Sequence, residues 1–202
     1  FDEPITNVDP DLKLQLKRTL RELFSRLNQT IIYVTHDQTE AMTLADEIAL
    51  MQDGAIEQMA PPRDLYNKSE SVFGGWFLGN PGMNFVSVAG NEATAATIAG
   101  GALVEAVTTI GFRPEDVLIG AESDPTGLAA VVEHIAVATG GQKLVNLRSG
   151  DLRLKAKLPW DAGGGINDGD TVKWAVPAER IRKFNADDVS VSVAAAAAES
   201  NE

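Results

Sequence analysis

The residues of this chain that could do chemistry are concentrated near its start. Two adjacent carboxylates, Asp2 and Glu3, are followed by Asn7 and Asp9, and His36 is one of two histidines in the chain. Carboxylates bind hard cations and accept protons, and a histidine moves protons or donates hydrogen bonds near neutral pH. Taken alone, each residue also has an ordinary role in a solvated acidic segment, a turn or a strand end. Their significance therefore depends on the elements that position them.

A helix and a strand are predicted to separate the carboxylates from the histidine. Between residues 11 and 28, leucine and phenylalanine recur every three or four positions, as on one face of an amphipathic helix. Residues 30–35, TIIYVT, predict a strand that is buried on both faces of a parallel sheet and ends at His36. Asp37 and Glu40 then form the start of a second helix. Polar groups at the carboxyl ends of strands are where α/β sheets bind ligands.

The remainder of the first 79 residues predicts further α/β structure. Residues 47–51 and 56–59 are expected to be strands joined by a tight turn. Short helices are expected at residues 61–66 and 72–78. The alternation of strands and helices predicts a layered α/β domain over residues 1–79.

A cluster of helix-breaking residues, Gly79-Asn80-Pro81-Gly82, marks the predicted domain boundary, and residues 80–84 are interpreted as a linker. Beyond it, short strands and glycine-rich turns predict an all-β barrel or sandwich over residues 85–193. Gly140-Gly141 is interpreted as a hairpin turn, and residues 194–202 as a disordered tail. The expected strands are 85–88, 103–107, 109–112, 128–135, 143–148, 152–158, 171–176 and 181–184.

Composition excludes several function classes. The formal net charge of the chain is −12, and an acidic surface disfavours unassisted binding to nucleic acid or to an anionic membrane surface. No run approaches the roughly 18 apolar residues that a membrane span needs. The chain has no cysteine, which excludes disulfides and thiol nucleophiles and fits a cytosolic location.

The motifs, taken in order, resemble the second half of an ABC-transporter ATPase. Phe1-Asp2-Glu3-Pro4 is similar to the end of a Walker B motif, and Thr6-Asn7-Val8-Asp9 is similar to a D-loop. Residues 33–42, YVTHDQTEAM, are similar to an H-loop and its following helix. The resemblance continues through residues 80–85. Residues 111–116, GFRPED, resemble the signature of the OB-type regulatory domain in importers for maltose, glycerol phosphate and related sugars.

The resemblance implies a role for each candidate site residue. Glu3 would polarise the water that attacks ATP, and His36 would contact the γ-phosphate. Asp2 would hold Mg²⁺ through a water molecule, and Asn7 and Asp9 would communicate with the partner subunit across the bound nucleotide. These residue types match the needs of phosphoryl transfer to water, which are a cation ligand, a group that orients the water and donors to the phosphate.

The resemblance also implies a fold and partners. Residues 1–79 would be the C-terminal portion of a RecA-like P-loop ATPase domain, and residues 85–193 an OB-like regulatory domain. The subunit would form a homodimer that drives membrane permease subunits from the cytoplasmic face. The transporter would import a sugar, a sugar phosphate or glycerol phosphate. A regulatory protein or a metabolite would act on the OB-like domain.

Two motifs of such an ATPase are missing from these 202 residues. The sequence has no Gly-Lys dipeptide, so it has no P-loop, and the ABC signature motif would precede Phe1. We therefore expect these residues alone neither to bind ATP tightly nor to hydrolyse it. An alternative interpretation is a non-catalytic regulatory module whose OB-like domain senses a metabolite or a protein. An OB-type nucleic-acid binder would need a basic groove, which the net charge disfavours.

Other residues in the second part of the chain have weaker functional interpretations. Arg113 and Glu115 indicate either a regulatory ligand site or a structural ion pair and helix cap. His134 lies in an apolar strand, where a structural role is expected. The three tryptophans are expected in the core or at domain contacts: Trp76, Trp160 and Trp174.

Overall fold

The chain folds into two compact units, Phe1–Ser69 and Glu70–Glu202. The computed structural model describes residues 1–5, 8–27, 29–120, 127–138, 140–162 and 165–191. The first unit contains both helices and strands and antiparallel sheets dominate the second, so the α/β class is confirmed. No helix within these ranges has both the length and the apolar character to cross a membrane.

The first unit combines helices with a β-hairpin. Asp53 and Gly54 join the two strands with φ angles of 50° and 83°, as a tight two-residue hairpin turn requires. Leu50 of the hairpin and Leu65 of the following helix are both buried and contribute to the core of this unit. Its elements are α1 (Pro10–Leu27), α2 (Gln38–Leu44), β1 (Ile48–Gln52), β2 (Ala55–Ala60) and α3 (Pro62–Asn67).

The burial predicted for residues 30–35 is wrong. Val34 makes one parallel bridge with Asp2, and its N–H donates to the carbonyl of Phe1 at 2.8 Å. The Ile32 and Val34 side chains are 77% and 52% exposed, so one face of the segment is in contact with solvent. The reason is that Ile32 and Val34, two residues apart, point to the same face of the segment, and no element in the described part of the chain covers that face.

The second unit is built mainly from two antiparallel sheets. One has five strands in the order β5-β9-β6-β7-β8, and the other has three in the order β10-β4-β3. Phe112 and Trp174 lie in its core with their ring centroids 5.8 Å apart. The elements are α4 (Val72–Phe77), β3 (Asn84–Ser87), α5 (Glu92–Ile98), β4 (Thr109–Phe112), β5 (Leu118–Gly120), β6 (Leu128–Ala138), β7 (Gln142–Ser149), β8 (Leu152–Leu158), β9 (Thr171–Ala175) and β10 (Arg182–Phe184).

Most of the expected strands of this unit form, but three features differ from expectation. Helix α5 interrupts the predicted all-β pattern, and the short strand β5 was not expected. The strand expected at residues 103–107 is wrong, because the Val107 N–H donates to the carbonyl of Val104 at 3.0 Å and closes a turn. The turn at Gly140 and Gly141 is confirmed, since both residues have positive φ and connect β6 to β7.

The two units divide between Ser69 and Glu70, earlier than the boundary expected at Gly79. Long-range backbone hydrogen bonds explain the difference. The Val72 N–H donates to the Asp188 carbonyl at 2.9 Å, and the Ser190 N–H donates to the Glu70 carbonyl at 2.7 Å. Helix α4 is therefore part of the second unit. The expected disordered tail, residues 194–202, lies outside the described residues.

Candidate functional site

Glu3 and His36, which are 33 positions apart in the sequence, are in contact in the first unit. The Glu3 Oε1 atom lies 2.7 Å from His36 Nδ1, at hydrogen-bond distance. Both side chains reach solvent, with exposed fractions of 43% for Glu3 and 74% for His36. The pair is thus accessible to a ligand while its two members hold each other.

The backbone pairing of residues 1–3 with residue 34 produces this contact. The Glu3 N–H donates to the Val34 carbonyl at 2.9 Å, next to the Asp2–Val34 bridge. Glu3 itself has a φ of 42°, in the left-handed region that a non-glycine residue rarely occupies. Glu3 comes directly after Asp2, which pairs with Val34, and it is also the residue that contacts His36. Strained backbone of this kind is found preferentially at functional sites.

The Glu3 carboxylate also changes the protonation of His36. The hydrogen bond from Glu3, and then its negative charge, raise the pKa of His36 above its ordinary value. The imidazolium form therefore persists to a higher pH than it would without Glu3. In that form Nδ1–H donates to Glu3, and Nε2–H is left as a donor toward an anion.

Four charged side chains form a cluster behind the Glu3–His36 pair, which we call the lysine–carboxylate quartet: Lys13, Lys17, Asp37 and Glu40. Lys13 Nζ lies 2.6 Å from Asp37 Oδ2 and 3.0 Å from Glu40 Oε1. Lys17 Nζ lies 3.6 Å and 4.0 Å from the same two oxygens. Lys17 and Glu40 are buried, and the two positive charges balance the two negative ones.

The quartet determines the protonation of its members. Burial alone would raise the pKa of Asp37, but the hydrogen bond from Lys13, the Glu40 N–H and the charge of Lys17 together lower it to about 2. The hydrogen bonds of Lys13 to Asp37 and then Glu40 raise the pKa of Lys13. Burial, followed by the hydrogen bond that its hydroxyl donates to Glu40 at 2.9 Å, raises the pKa of Tyr33. Asp37 and Lys13 are therefore both charged across the whole neutral pH range.

The Glu3–His36 pair opens onto a cleft of about 190 Å³. Carboxylate, imidazole, ammonium and hydroxyl groups face it, beside two apolar side chains. The described residues that line it are Glu3, Ile5, Val8, Lys13, Thr35, His36, Asp37 and Glu40. The combination suits a small anion and a water molecule better than an apolar ligand.

The other predicted site residues are placed differently. Asp2 lies beside the cleft through its bridge to Val34, but it is not among the described residues that line it. Asp9 is exposed just before α1, where its carbonyl accepts from the Lys13 N–H at 2.7 Å. Asn7 lies outside the described residues. No group of three His, Asp or Glu residues that could hold a metal ion occurs in the part of the chain that the structure describes.

The candidates in the second unit have structural surroundings. Arg113 is buried and donates to the carbonyl of Gly75 at 3.0 Å and to that of Leu78, at the carboxyl end of α4. His134 is exposed, and its Nδ1 lies 3.1 Å from an oxygen of Asp168, whose second oxygen accepts from a backbone N–H of β6. These contacts account for both residues as parts of the fold.

The core assignment holds for one of the three tryptophans. Trp174 is buried, whereas Trp76 is 64% and Trp160 is 59% exposed. Trp160 is covered by Lys143, whose Nζ lies 5.3 Å from its ring centroid, an arrangement typical of a cation–π contact at a surface. For Trp76 and Trp160 the core alternative is therefore wrong, and the alternative of a domain contact stays a prediction.

Sequence reasoning identified Asp37 and Glu40 as a helix start but missed their ion pairs. The predicted cap is present, because Asp37 Oδ1 accepts from the Glu40 N–H at 3.0 Å. Lys13 and Lys17 were treated as the polar face of an amphipathic helix. The spacing of four residues between the two lysines puts both on one face of α1, and this was a signal that the sequence offered. The spacing does not show that Asp37 and Glu40 are their partners.

Comparison with known proteins agrees with the motifs. The chain is 39% identical over 170 residues to the sulfoquinovosyl glycerol transport ATP-binding protein SmoE of Agrobacterium fabrum, covering 79% of this chain and 48% of that protein. It is 40% identical over 153 residues to the sn-glycerol-3-phosphate import ATP-binding protein UgpC 3 of Rhizobium etli, covering 75% and 43%. UgpC of Rhodopseudomonas palustris is 32% identical over 204 residues, covering 93% and 55%.

These relatives are longer than the chain, which spans about half the length of the curated relatives it matches. No family model matches the chain. The similarity runs through most of the 202 residues and includes several transport ATP-binding proteins of one class. The chain therefore belongs to the family of ABC-transporter ATP-binding proteins.

Proposed function

We propose that the chain is part of an ATP-binding subunit that couples ATP hydrolysis to the import of a sugar, a sugar phosphate or glycerol phosphate. The observation that carries the proposal is the contact of 2.7 Å between Glu3 and His36 at the mouth of a polar cleft. It joins a carboxylate that can orient a water molecule to an imidazole that can donate to a phosphate oxygen. Both residues lie in motifs that resemble those of ABC ATPases.

The residues present fit the terminal phosphate of ATP. A cleft of about 190 Å³ is smaller than the roughly 300 Å³ of ordinary ligand pockets, so it suits a phosphoryl group and a water rather than a whole nucleotide. Bound ATP with Mg²⁺ would supply the phosphoryl group and neutralise its charge. Asp2 would hold the cation through water, in keeping with the preference of Mg²⁺ for few carboxylates and several waters.

Glu3 and His36 divide the work in this proposal. The ionised Glu3 carboxylate accepts a hydrogen bond from the attacking water and orients it. The His36 imidazolium donates through Nε2 to a phosphate oxygen, while its Nδ1–H remains with Glu3. Because the hydrogen bond to Glu3, and then the Glu3 charge, raise the pKa of His36, the same carboxylate also favours the protonated donor. Asn7 and Asp9 would communicate with a second subunit.

The remaining assignments extend this proposal to the assembly. Two copies of the subunit would act on a membrane permease from its cytoplasmic side. The second unit would be an OB-type regulatory domain, for which its five-stranded antiparallel sheet gives support, and it would receive a regulatory protein or a metabolite. Its surface would not bind nucleic acid, because the chain is strongly acidic.

The test is a comparison of two glutamate substitutions in the protein isolated at its native length. Glu3→Gln is expected to lower kcat for MgATP hydrolysis by about a hundredfold or more, the usual contribution of a positioned general base. Glu57→Gln, at an exposed position of β2, makes the same chemical change away from the cleft and should retain wild-type activity. Equal hydrolysis by the two variants would contradict the role of Glu3.

The 202-residue chain by itself provides a second arm of the test. Because it contains no P-loop, we expect no turnover above that of its Glu3→Gln variant. Turnover by the isolated chain that Glu3→Gln removes would show that a P-loop is not required, and that outcome would contradict the expected inactivity.

A further inference from the structure

We infer that Lys13 on α1 is a positioning residue for His36, acting through Asp37 and Glu40. Lys13 is separated from His36 by 23 residues and belongs to no motif that the sequence singled out. The inference rests on the proposed function, since it gives Lys13 a part in placing the imidazole that would meet the phosphate.

His36 needs support from its backbone because its ring is poorly packed. Its side chain is 74% exposed, and the contact that holds it is the one with Glu3. A buried side chain is oriented by its neighbours, but an exposed one takes its position mainly from the backbone atoms on either side. The placement of Thr35 and Asp37 therefore decides where the imidazole can reach.

Both of these neighbours are fixed by side-chain hydrogen bonds. The Thr35 hydroxyl donates to Glu40 Oε2 at 3.1 Å and accepts from the Asp37 N–H at 3.0 Å. Asp37 Oδ1 accepts from the Glu40 N–H at 3.0 Å, which caps α2. The three residues form a closed set of bonds around the chain at His36. These hydrogen bonds hold the backbone at His36 in place only if the Glu40 and Asp37 carboxylates are themselves held in place.

Lys13 connects the two carboxylates to α1. Its Nζ lies 2.6 Å from Asp37 Oδ2 and 3.0 Å from Glu40 Oε1, the oxygens that the cap and Thr35 leave available. Because Lys17 stands farther from both oxygens, Lys13 makes the closer contacts of the quartet. The Tyr33 hydroxyl also donates a hydrogen bond to Glu40 Oε2.

The burial of this arrangement separates it from an ordinary surface ion pair. The Glu40 side chain is 3% exposed and that of Lys13 is 29% exposed. In the same unit, the Lys68–Asp64 pair has side chains that are 66% and 49% exposed, with a nitrogen–oxygen distance of 3.3 Å. Exposed pairs contribute little, whereas removing one partner of a buried pair leaves a charge that the fold must accommodate. Lys68 therefore provides a matched control for Lys13.

The experiment compares Lys13→Met, Lys13→Arg, Tyr33→Phe and Lys68→Met in the native-length protein. MgATP hydrolysis gives kcat and KM, and amide hydrogen exchange by NMR reports on the Asp37 and Glu40 N–H groups. Lys13→Met is expected to lower kcat about tenfold or more with KM within about twofold, since misplacement of a reacting group affects the chemical step. The two amides should exchange about tenfold faster, whereas those of the β1–β2 hairpin stay unchanged.

The other variants make the interpretation specific. Lys13→Arg keeps the charge and should recover most of the lost kcat. Tyr33→Phe removes one hydrogen bond to Glu40 without removing a charge and should lower kcat by about fivefold, which also covers the case in which Lys13→Met fails to fold. Lys68→Met should behave as wild type in both measurements.

Two results would overturn the inference. An increase in KM at unchanged kcat would mean that Lys13, which lines the cleft, contacts the nucleotide directly. Unchanged exchange at Asp37 and Glu40 in both Lys13→Met and Tyr33→Phe would mean that the lysine does not hold this segment. Retained hydrolysis by Glu3→Gln would instead count against the proposed function, and the exchange measurement would still decide whether Lys13 positions His36.

Discussion

Replacing Asp37 with asparagine should remove the part of the acid sensitivity of α2 that comes from the Asp37 carboxylate. The quartet lowers the pKa of Asp37 from 3.8 to about 2. One pKa unit corresponds to about 1.36 kcal/mol, so the lowered pKa means that the ionised Asp37 carboxylate contributes about 2 kcal/mol to stability. Asparagine also caps helices, so Asp37→Asn removes the charge while it retains an acceptor for the Glu40 N–H.

The sign of the pH dependence follows from the lowered pKa. A carboxylate whose folded-state pKa lies below its unfolded-state pKa stabilises the fold above the unfolded-state value. That contribution is lost as the pH falls through the folded-state value. For Asp37 it is complete at pH 7, falls to about half at pH 3 and is nearly gone at pH 2. The difference in stability between wild type and Asp37→Asn should close over the same interval.

Hydrogen exchange of the α2 amides measures this difference locally, which matters in a chain of two units. The Ala41 and Ala45 N–H groups donate within the helix at 3.1 Å and 3.2 Å. At pH 7 they should exchange about thirtyfold faster in Asp37→Asn than in wild type. Comparison at one pH cancels the intrinsic chemistry of exchange. Asp64→Asn, in the exposed pair with Lys68, is the matched control and should change these rates little.

Two outcomes would refute this reasoning. If Asp37→Asn and Asp64→Asn gave the same α2 exchange rates at pH 7, the ion pairs of Asp37 would not stabilise the helix. If the difference at pH 7 persisted undiminished to pH 2, it would come from the shape of the side chain and not from its charge.

Two further predictions concern the Glu3–His36 pair and the second unit. Glu3→Gln should lower the pKa of His36 toward its ordinary value in an NMR titration, because the main cause of the raised pKa is then lost, whereas the signals of His134 provide an unchanged reference. An unaltered His36 titration would mean that the pair does not form in solution. Gly82→Ala should destabilise the second unit by about 1–3 kcal/mol, because a Cβ at Gly82 would lie 2.2 Å from the Trp76 carbonyl oxygen. In thermal unfolding, Gly101→Ala is the control with open space at its Cβ, and equal midpoints for the two variants would contradict the clash.

The elements that local chemistry determines could be predicted from the sequence. The leucine spacing of α1, the Asp53-Gly54 turn and the strand β8 at residues 152–158 all agree with the structure. In each case the signal lies within a few neighbouring residues. The sequence also placed Glu3 and His36 among polar groups at strand ends, although it did not predict that the two side chains are in contact.

Features that depend on distant residues could not be predicted in this way. Helix α5 has the sequence EATAATI, in which small and polar residues give no apolar stripe of helical period. The Gly79-Asn80-Pro81-Gly82 cluster correctly indicates a local break. It does not mark the division between units, because hydrogen bonds to Asp188 and from Ser190 connect α4 and Glu70 to a segment more than 100 positions later.

The same limit explains why the sequence indicates His36 as a candidate but not the residues that surround it. A pattern in one sequence shows which residues could do chemistry, but in the proposed arrangement the exposed imidazole of His36 is placed by residues whose own types are ordinary. Lys13 and Lys17 look like the solvated face of a helix, and burial of Glu40 beside them gives their charges a role. Because Glu40 is buried and Asp37 is partly buried, the two carboxylates require cations, and α1 supplies them at a spacing of four residues. The helix after the D-loop motif is thereby bonded to the start of the helix after His36, which is the connection that a substitution at Lys13 would break.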